Sequence, residues 1–321
     1  MKKFENAENM YDILIIGGGP AGMTAALFAA RYNMRCCLVY SRLGGAMAEA
    51  HSIENYPGIE KISGIELAER MEKQVKKHGV KIIVDEVIGV KKEDDIFVAK
   101  LRSDKEIKAL SLILALGTQR RKLNIPGEEK FLGKGISYCA TCDGFFFKNK
   151  IVAVVGGGDS ALDAVLYLSN LAKKVYLIHR REEFRAEDLK VEEAKKKDNV
   201  EFLLNKVVVE AKGSEKLEKI VIEDTKTGER RELEVDGLFI EIGSVPSTAL
   251  IKPLGVETDE AGFIKVNDKM ETNVEGIFAC GDITTGSGGF RQIATAVGEG
   301  AIAGHYSSIY VKRKKMASGG S

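Results

Sequence analysis

Apolar residues gather along this chain in short runs rich in β-branched side chains, and two of those runs feed directly into a cluster of glycines. Tyr11-Asp12-Ile13-Leu14-Ile15-Ile16 leads into Gly17-Gly18-Gly19-Pro20-Ala21-Gly22 and then into an alanine-rich stretch through Arg31. That pattern predicts strand, tight turn and helix. Roughly 140 residues later Ile151-Val152-Ala153-Val154-Val155 leads into Gly156-Gly157-Gly158-Asp159-Ser160-Ala161 and a second helical stretch through Leu171, so one unit is used twice. Between Lys206 and Glu234 the pattern changes to polar and apolar alternation around the turn Thr225-Lys226-Thr227-Gly228. Antiparallel strands appended to a parallel core are expected there.

The glycine spacing has a physical reading. Gly17 and Gly156 permit the tight turn, Gly19 and Gly158 let the backbone approach a pyrophosphate, and the small residues Gly22 and Ala161 let helix and strand pack closely. The phosphates then sit at a helix N-terminus, where free N–H groups favour anions. One such turn is weak evidence; two in matching context point to two dinucleotides. The strand following the second turn ends in His179-Arg180-Arg181, with Arg185 further on, and cationic forks there favour the 2′-phosphate of NADPH over NADH. After the first turn the corresponding stretch is Tyr40-Ser41-Arg42, which offers no carboxylate for a ribose.

Polar interruptions at Gln119-Arg120-Arg121-Lys122 and Ser244-Val245-Pro246-Ser247 suggest that the second unit is inserted into the first. The expected organisation is α/β, with two Rossmann-like dinucleotide-binding domains. Residues 119–245 form the inserted one, leaving a discontinuous domain from residues 1–118 and 246–321. Residues 317–321 read as a flexible tail.

The chain has 321 residues, 44% of them hydrophobic and 30% charged, with a formal net charge of +1. This balance provides no overall field to gather nucleic acid. Residues 1–6 lack the apolar run of a signal peptide, and no apolar stretch approaches the roughly 20 residues of a membrane span, so a cytoplasmic location is expected. Five cysteines are too few and too scattered for a disulfide scaffold. Cys36, Cys37 and Cys280 lie in apparent buried strands and read as small hydrophobes.

The other two form Cys139-Ala140-Thr141-Cys142, followed at once by Asp143. A pair at this spacing can cycle between dithiol and disulfide, with Asp143 moving a proton, but half of a zinc site has the same spacing. The further ligands zinc needs are not supplied at metal spacing by His51, His78, His179 and His305, and no metal is expected.

With these motifs in place, the chain resembles the low-molecular-weight thioredoxin reductases over nearly its whole length. The specific stretches are Gly17 to Gly22, Glu54-Asn55-Tyr56-Pro57-Gly58, Cys139 to Phe146, Gly156 to Ala161, His179-Arg180-Arg181 with Arg185, and Gly281-Asp282 followed by Arg291-Gln292. The resemblance implies a homodimer that passes electrons from NADPH through FAD and the Cys139-Cys142 disulfide to a thioredoxin-like or glutaredoxin-like protein, with domain rotation between half-reactions. It implies that Cys142 faces the flavin, Cys139 attacks the partner disulfide and Asp143 serves as acid or base. It also implies FAD contacts at Gly17, Gly19, Pro20, Ala21, Gly22, Ser41, Gly44, Gly45, Asn55, Val87, Gly117, Asp282, Arg291, Gln292 and Ile293. NADPH contacts are implied at Gly156, Gly158, Asp159, Ser160, Ala161, His179, Arg180, Arg181 and Arg185. Family members often carry Gln where this chain has Ala46, and Thr where it has Leu116. The alternative is a flavin reductase of the same fold that uses NADH or another donor, or that feeds ferredoxin or oxygen. The intact thiol pair beside Asp143 argues against it.

Overall fold

The computed structural model describes residues 10–50, 52–246, 248 and 250–318. The reading of residues 1–6, His51, Ser247 and the last part of the tail lie outside the described residues. The chain divides into two compact units, one from residues 1–119 and 245–321 and the other from residues 120–244.

The first unit opens with β1 (Met10–Ile16), α1 (Pro20–Arg31), β2 (Cys36–Tyr40), α2 (Gly64–Lys77), β3 (Lys81–Val84), β4 (Val87–Glu93), β5 (Ile96–Leu101) and β6 (Glu106–Leu114). The sheet order is β3-β2-β1-β6-β5-β4. β3, β2, β1 and β6 run parallel, and β4 and β5 are antiparallel additions. Successive side chains of β1 serve opposite faces, as the period of two requires. Ile13 and Ile15 pack with the alanines of α1, while Leu14 and Ile16 pack with Phe97, Leu101 and Ile264. The short apolar runs of the sequence are therefore strands buried on both faces.

β7 (Thr118–Arg120) leads into the second unit, which contains β8 (Ile136–Ser137), α3 (Ala140–Asp143), β9 (Ile151–Val155), α4 (Asp159–Ser169), β10 (Lys174–His179), α5 (Asp188–Lys195), β11 (Val200–Leu204), β12 (Lys206–Lys212), β13 (Lys219–Asp224), β14 (Arg230–Glu234) and β15 (Gly237–Ile240). Its parallel sheet has the order β11-β10-β9-β15-β8. Val152 and Val154 of β9 face α4, whereas Ala153 and Val155 face the antiparallel sheet β12-β13-β14 through Ile220 and Ile222. The alternating segment from Lys206 to Glu234 is thus a three-stranded meander, one face of which closes the core.

β16 (Ser244–Pro246) leaves this unit, and β17 (Ile277–Ala279) and α6 (Ile293–Ser318) complete the first. β17 lies parallel to the C-terminal half of β6, pairing with Leu112 to Leu114. α6 crosses α1 closely because glycines face it. A Cβ on Gly300 would stand 2.3 Å from the carbonyl oxygen of Ala21, and one on Gly304 would stand 2.6 Å from that of Ala25.

Two expectations gain detail. The polar interruptions at the two boundaries form a short ladder, with β7 pairing β16 and the Arg121 N–H donating to the Gly243 carbonyl at 3.1 Å. Segments that enter and leave one inserted unit run side by side and can satisfy each other's backbone groups. The tail reading at Ala317 gives way, since α6 continues to Ser318 and the lysines and alanine before it are good helix formers.

Candidate functional site

The two glycine turns are built alike. Gly17 has a φ of +125°, and a Cβ there would lie 2.0 Å from the Ala115 carbonyl oxygen, so glycine is required. A Cβ on Gly22 would lie 2.0 Å from the Gly17 carbonyl oxygen, and the Ala161 methyl already fills the space beside Gly156. These are the close-packing positions of each turn. The middle positions differ in kind: a Cβ on Gly19 would meet nothing nearer than 3.9 Å, and one on Gly158 would meet nothing within 4 Å. Both residues are helix N-caps in extended conformation without a side-chain cap, before α1 and α4. Pro20 and Asp159 begin those helices, and the backbone donors beside the open space suit a pyrophosphate. The residues present therefore fit a dinucleotide at each turn.

In the first unit the remaining candidates gather near the first turn. The Gly44 N–H donates to the Gly18 carbonyl at 2.8 Å, and Gly45, with φ +54°, lies against Gly19. Ser41 is exposed at the end of β2, and the segment leading to Val87 is tied back there by the Asp85 N–H donating to Tyr40 O. Asn55 Nδ2 donates to Gln292 Oε1 at 3.1 Å, joining motifs far apart in sequence just before Ile293 opens α6. Arg291 Nε donates to the Asp282 carbonyl at 3.1 Å, and its guanidinium lies 3.9 Å over the Phe263 ring. Gly117 has φ +63° and no atom near its Cβ position. The Gly281-Asp282 turn is braced by a residue the sequence reading missed. Buried Glu299 accepts from the Gly281 N–H at 2.8 Å, the Thr284 hydroxyl at 2.9 Å and the Ser287 hydroxyl at 2.6 Å.

In the second unit the His179 ring packs beneath the glycine turn, where a Cβ on Gly157 would come within 2.1 Å of it. Nε2 lies 3.0 Å from the Glu183 carbonyl, and Phe184 stacks on the ring. Burial, opposed by the Glu183 carbonyl and aided by the charges of Arg180, Arg181 and Arg185, holds the imidazole below its usual pKa. Arg180, Arg181 and Arg185 are exposed, and the Arg185 N–H donates to the Gly157 carbonyl at 2.8 Å, fixing that arginine beside the turn. Asp159 accepts from the Glu187 N–H, which holds its carboxyl low, and Lys190 bridges it to Asp163. Ser160 occupies the first turn of α4.

Cys139 and Cys142 form a disulfide at the entry to α3, with Cys139 half-buried and Cys142 exposed. The Ser137 hydroxyl donates to Asp143 Oδ2 at 2.6 Å, and its oxygen accepts the Cys139 N–H at 3.0 Å. Buried Glu128 accepts from the backbone N–H groups of Leu123, Asn124 and Ile125 and from the Tyr138 hydroxyl at 2.5 Å, bracing the residue before Cys139. Ser137, Glu128 and Tyr138 have no motif spacing, which is why they were not singled out. Cys36, Cys37 and Cys280 are buried and their thiols are pushed up by desolvation, Cys37 to about 12, so they stay protonated. Among the described residues, no group of three His, Cys, Asp or Glu side chains could hold a metal ion.

Two dinucleotide folds, one carrying a redox-spaced disulfide, define the class of nucleotide-dependent disulfide oxidoreductases. The model of the pyridine nucleotide-disulphide oxidoreductase family matches residues 11–300. The chain is 44% identical to the thioredoxin reductase of Bacillus subtilis (strain 168), over 95% of this chain and 96% of that protein. It is also 44% identical to that of Treponema pallidum (strain Nichols), over 95% and 98%. The crystal structure of thioredoxin reductase from Streptococcus pyogenes MGAS5005 superposes with a TM-score of 0.90 at 42% identity, covering 96% of this chain and 100% of that one. The chain belongs to the thioredoxin reductase family of pyridine nucleotide-disulphide oxidoreductases. It is an oxidoreductase acting on a disulfide, and its family uses a flavin and a nicotinamide cofactor. No helix among the described residues is long and apolar enough to cross a membrane.

Proposed function

We propose that the first unit, as the FAD domain, and the second, as the NADPH domain, together reduce a cytoplasmic thioredoxin-like protein through the Cys139–Cys142 disulfide, in a homodimer. The observation that carries this reading is the closed disulfide in the same unit as the arginine-flanked turn, with Asp143 fixed beside it by Ser137. FAD would lie along Gly17, Gly19, Pro20, Ala21, Gly22, Ser41, Gly44, Gly45, Asn55, Val87, Gly117, Asp282, Arg291, Gln292 and Ile293. NADPH would be held by Gly156, Gly158, Asp159, Ser160, Ala161 and the pocket of His179, with Arg180, Arg181 and Arg185 toward the 2′-phosphate. Bound NADPH and FAD supply the hydride and the electron pair.

Two electrons and two protons break the Cys139–Cys142 bond. The Cys139 thiolate then attacks one sulfur of the partner disulfide, breaking it and forming a mixed disulfide, while the departing partner sulfur takes a proton from Asp143. The Cys142 thiolate attacks Cys139 Sγ, re-forms the original bond and releases the second partner sulfur, which takes up the second proton. The thiols and the nicotinamide site share one unit, so reaching the same flavin by turns requires rotation at the linkers near Thr118 and Ser244.

Stopped-flow bleaching of the yellow protein by NADPH, NADH and a deazaflavin donor tests the donor. Fast bleaching by NADPH is expected, and bleaching by NADH alone overturns the assignment. Cys139→Ser should abolish thioredoxin reduction while leaving flavin reduction by NADPH. Full disulfide reductase activity in that variant overturns the thiol mechanism.

A further inference from the structure

Glu241 follows the last residue of β15 and touches both halves of the second unit's chemistry. Its N–H donates to the Val155 carbonyl at 2.8 Å, and its carbonyl oxygen stands 2.3 Å from where a Cβ of Gly156 would be, so its backbone is part of the glycine turn. Its side chain reaches the other way: Oε1 accepts the N–H of Ala140 at 3.3 Å. That amide is the peptide bond joining Cys139 to α3. We propose that Glu241 is a positioning residue for the redox disulfide, fixing the Cys139–Ala140 peptide against the nucleotide turn and exchanging a proton as the thiols change charge.

The inference rests on Cys139–Cys142 being the working redox pair. The carboxyl is half-buried, and desolvation, partly offset by Arg120 and by the Ala140 N–H, pushes it up to about 7. Of the charged side chains on the neighbouring elements, Arg120 on the entering linker acts on it through its charge, while Arg121 follows on the same linker, Asp143 lies on α3 and Asp159 at the head of α4, and the titratable His179 ring packs against Gly157. Reduction breaks the sulfur–sulfur bond with two electrons and leaves a Cys139 thiolate beside a peptide held by this carboxyl. Like charges repel, so the thiolate favours the protonated form of Glu241, and ionised Glu241 raises the Cys139 thiol. The proton taken up by the carboxyl comes from water and returns there when the disulfide re-forms.

The test is the rate of Cys139 alkylation by iodoacetamide in the full-length, dithiothreitol-reduced protein, followed by mass spectrometry from pH 5.5 to 9. Wild type should show a two-step profile with one inflection at or somewhat above the carboxyl's value of about 7 in the disulfide form, because the thiolate favours the protonated carboxyl. Glu241→Gln keeps volume and an acceptor for the Ala140 N–H but carries no titrating proton. It should show a single step, with alkylation about three- to tenfold faster at pH 8. Asp143→Asn should retain the inflection near 7. Superimposable profiles for wild type and Glu241→Gln, or loss of that inflection in Asp143→Asn, would overturn the proposal. Glu241→Ala should reduce disulfide turnover by more than Glu241→Gln does, and equal loss in the two would also count against it. Because alkylation needs neither nucleotide nor partner protein, its result is independent of whether NADPH-driven thioredoxin reduction is found.

Discussion

The Ser137 hydroxyl and the Asp143 carboxylate stand 2.6 Å apart, and this contact holds the carboxylate that directly follows the cysteine pair in sequence. Ser137 ends β8, the edge strand of the parallel sheet, so its hydroxyl ties Asp143 to that sheet. Ser137→Ala removes a donor to the carboxylate and an acceptor for the Cys139 N–H. A hydrogen bond to a charged group contributes about 1.5–3 kcal/mol, so thioredoxin-disulfide turnover should fall at least about tenfold. Flavin reduction by NADPH should be unchanged. Stopped-flow bleaching and steady-state turnover on one preparation separate the two rates.

Gly158 and Gly22 predict opposite outcomes for the same chemical change. A Cβ on Gly158 meets no protein atom within 4 Å, and its φ of −108° is open to any residue. Gly158→Ala should change stability by less than about 1 kcal/mol, because the entropy gain through the unfolded chain is offset by alanine's poor fit as an N-cap, while weakening NADPH binding because the methyl occupies the open space at the head of α4. Gly22→Ala puts a methyl 2.0 Å from the Gly17 carbonyl oxygen, and the helix must shift. It should destabilise the protein by roughly 1–3 kcal/mol. Thermal melts of both variants, with an NADPH titration of the first, check the contrast.

The division between what the sequence showed and what it did not follows from which constraints are local. Strand, turn and helix at Gly17 and Gly156 were legible because backbone sterics demand small residues at fixed offsets, and the structure shows where each methyl would collide. The thiol pair was legible because its chemistry requires adjacency. Glu128, Ser137, Glu241 and Glu299 were not, because none sits at a motif's fixed offset: Glu128 and Ser137 brace nearby loop backbone and side chains, and Glu241 and Glu299 act across the fold. Glu299 meets Gly281 across 18 residues and Glu241 meets Ala140 across 101. Their one-dimensional signal is weak, a single acid beside an apolar strand or within a helix. The β7–β16 ladder was hidden for a related reason, since each strand is too short to show alternation.

Glu128 makes a stability prediction distinct from its distance to the sulfurs. It is 3% exposed and accepts from Leu123, Asn124, Ile125 and the Tyr138 hydroxyl. Tyr138→Phe removes one donor and leaves the carboxylate satisfied by backbone, so a loss of about 1 kcal/mol is expected. Glu128→Ala strands three backbone donors, each costing about 1–3 kcal/mol unless water replaces the carboxylate. The alanine variant should therefore lose several times more stability than the phenylalanine variant. Equal midpoints for the two in urea would show that the carboxylate is not the brace.

Glu241 also predicts how stability depends on pH, with a sign opposite to that of an ordinary salt-bridged carboxylate. Its carboxyl is raised from 4.5 to about 7 in the folded protein, so between those values the native state binds the extra proton. Stability contributed by this group is full below pH 4.5 and declines as pH rises, until the folded carboxyl is ionised above about 7. The shift sets a ceiling of about 3 kcal/mol, reduced because water reaches a half-buried group. Depressed carboxylates such as Asp159 act in the other direction, gaining stability as pH rises through their lower range. The isolated measurement is therefore the difference between wild type and Glu241→Gln. Urea midpoints of the glutamine variant should stay level from pH 5 to 8 relative to wild type's decline, so the gap widens with pH. A constant gap across that range would show that Glu241 does not titrate there.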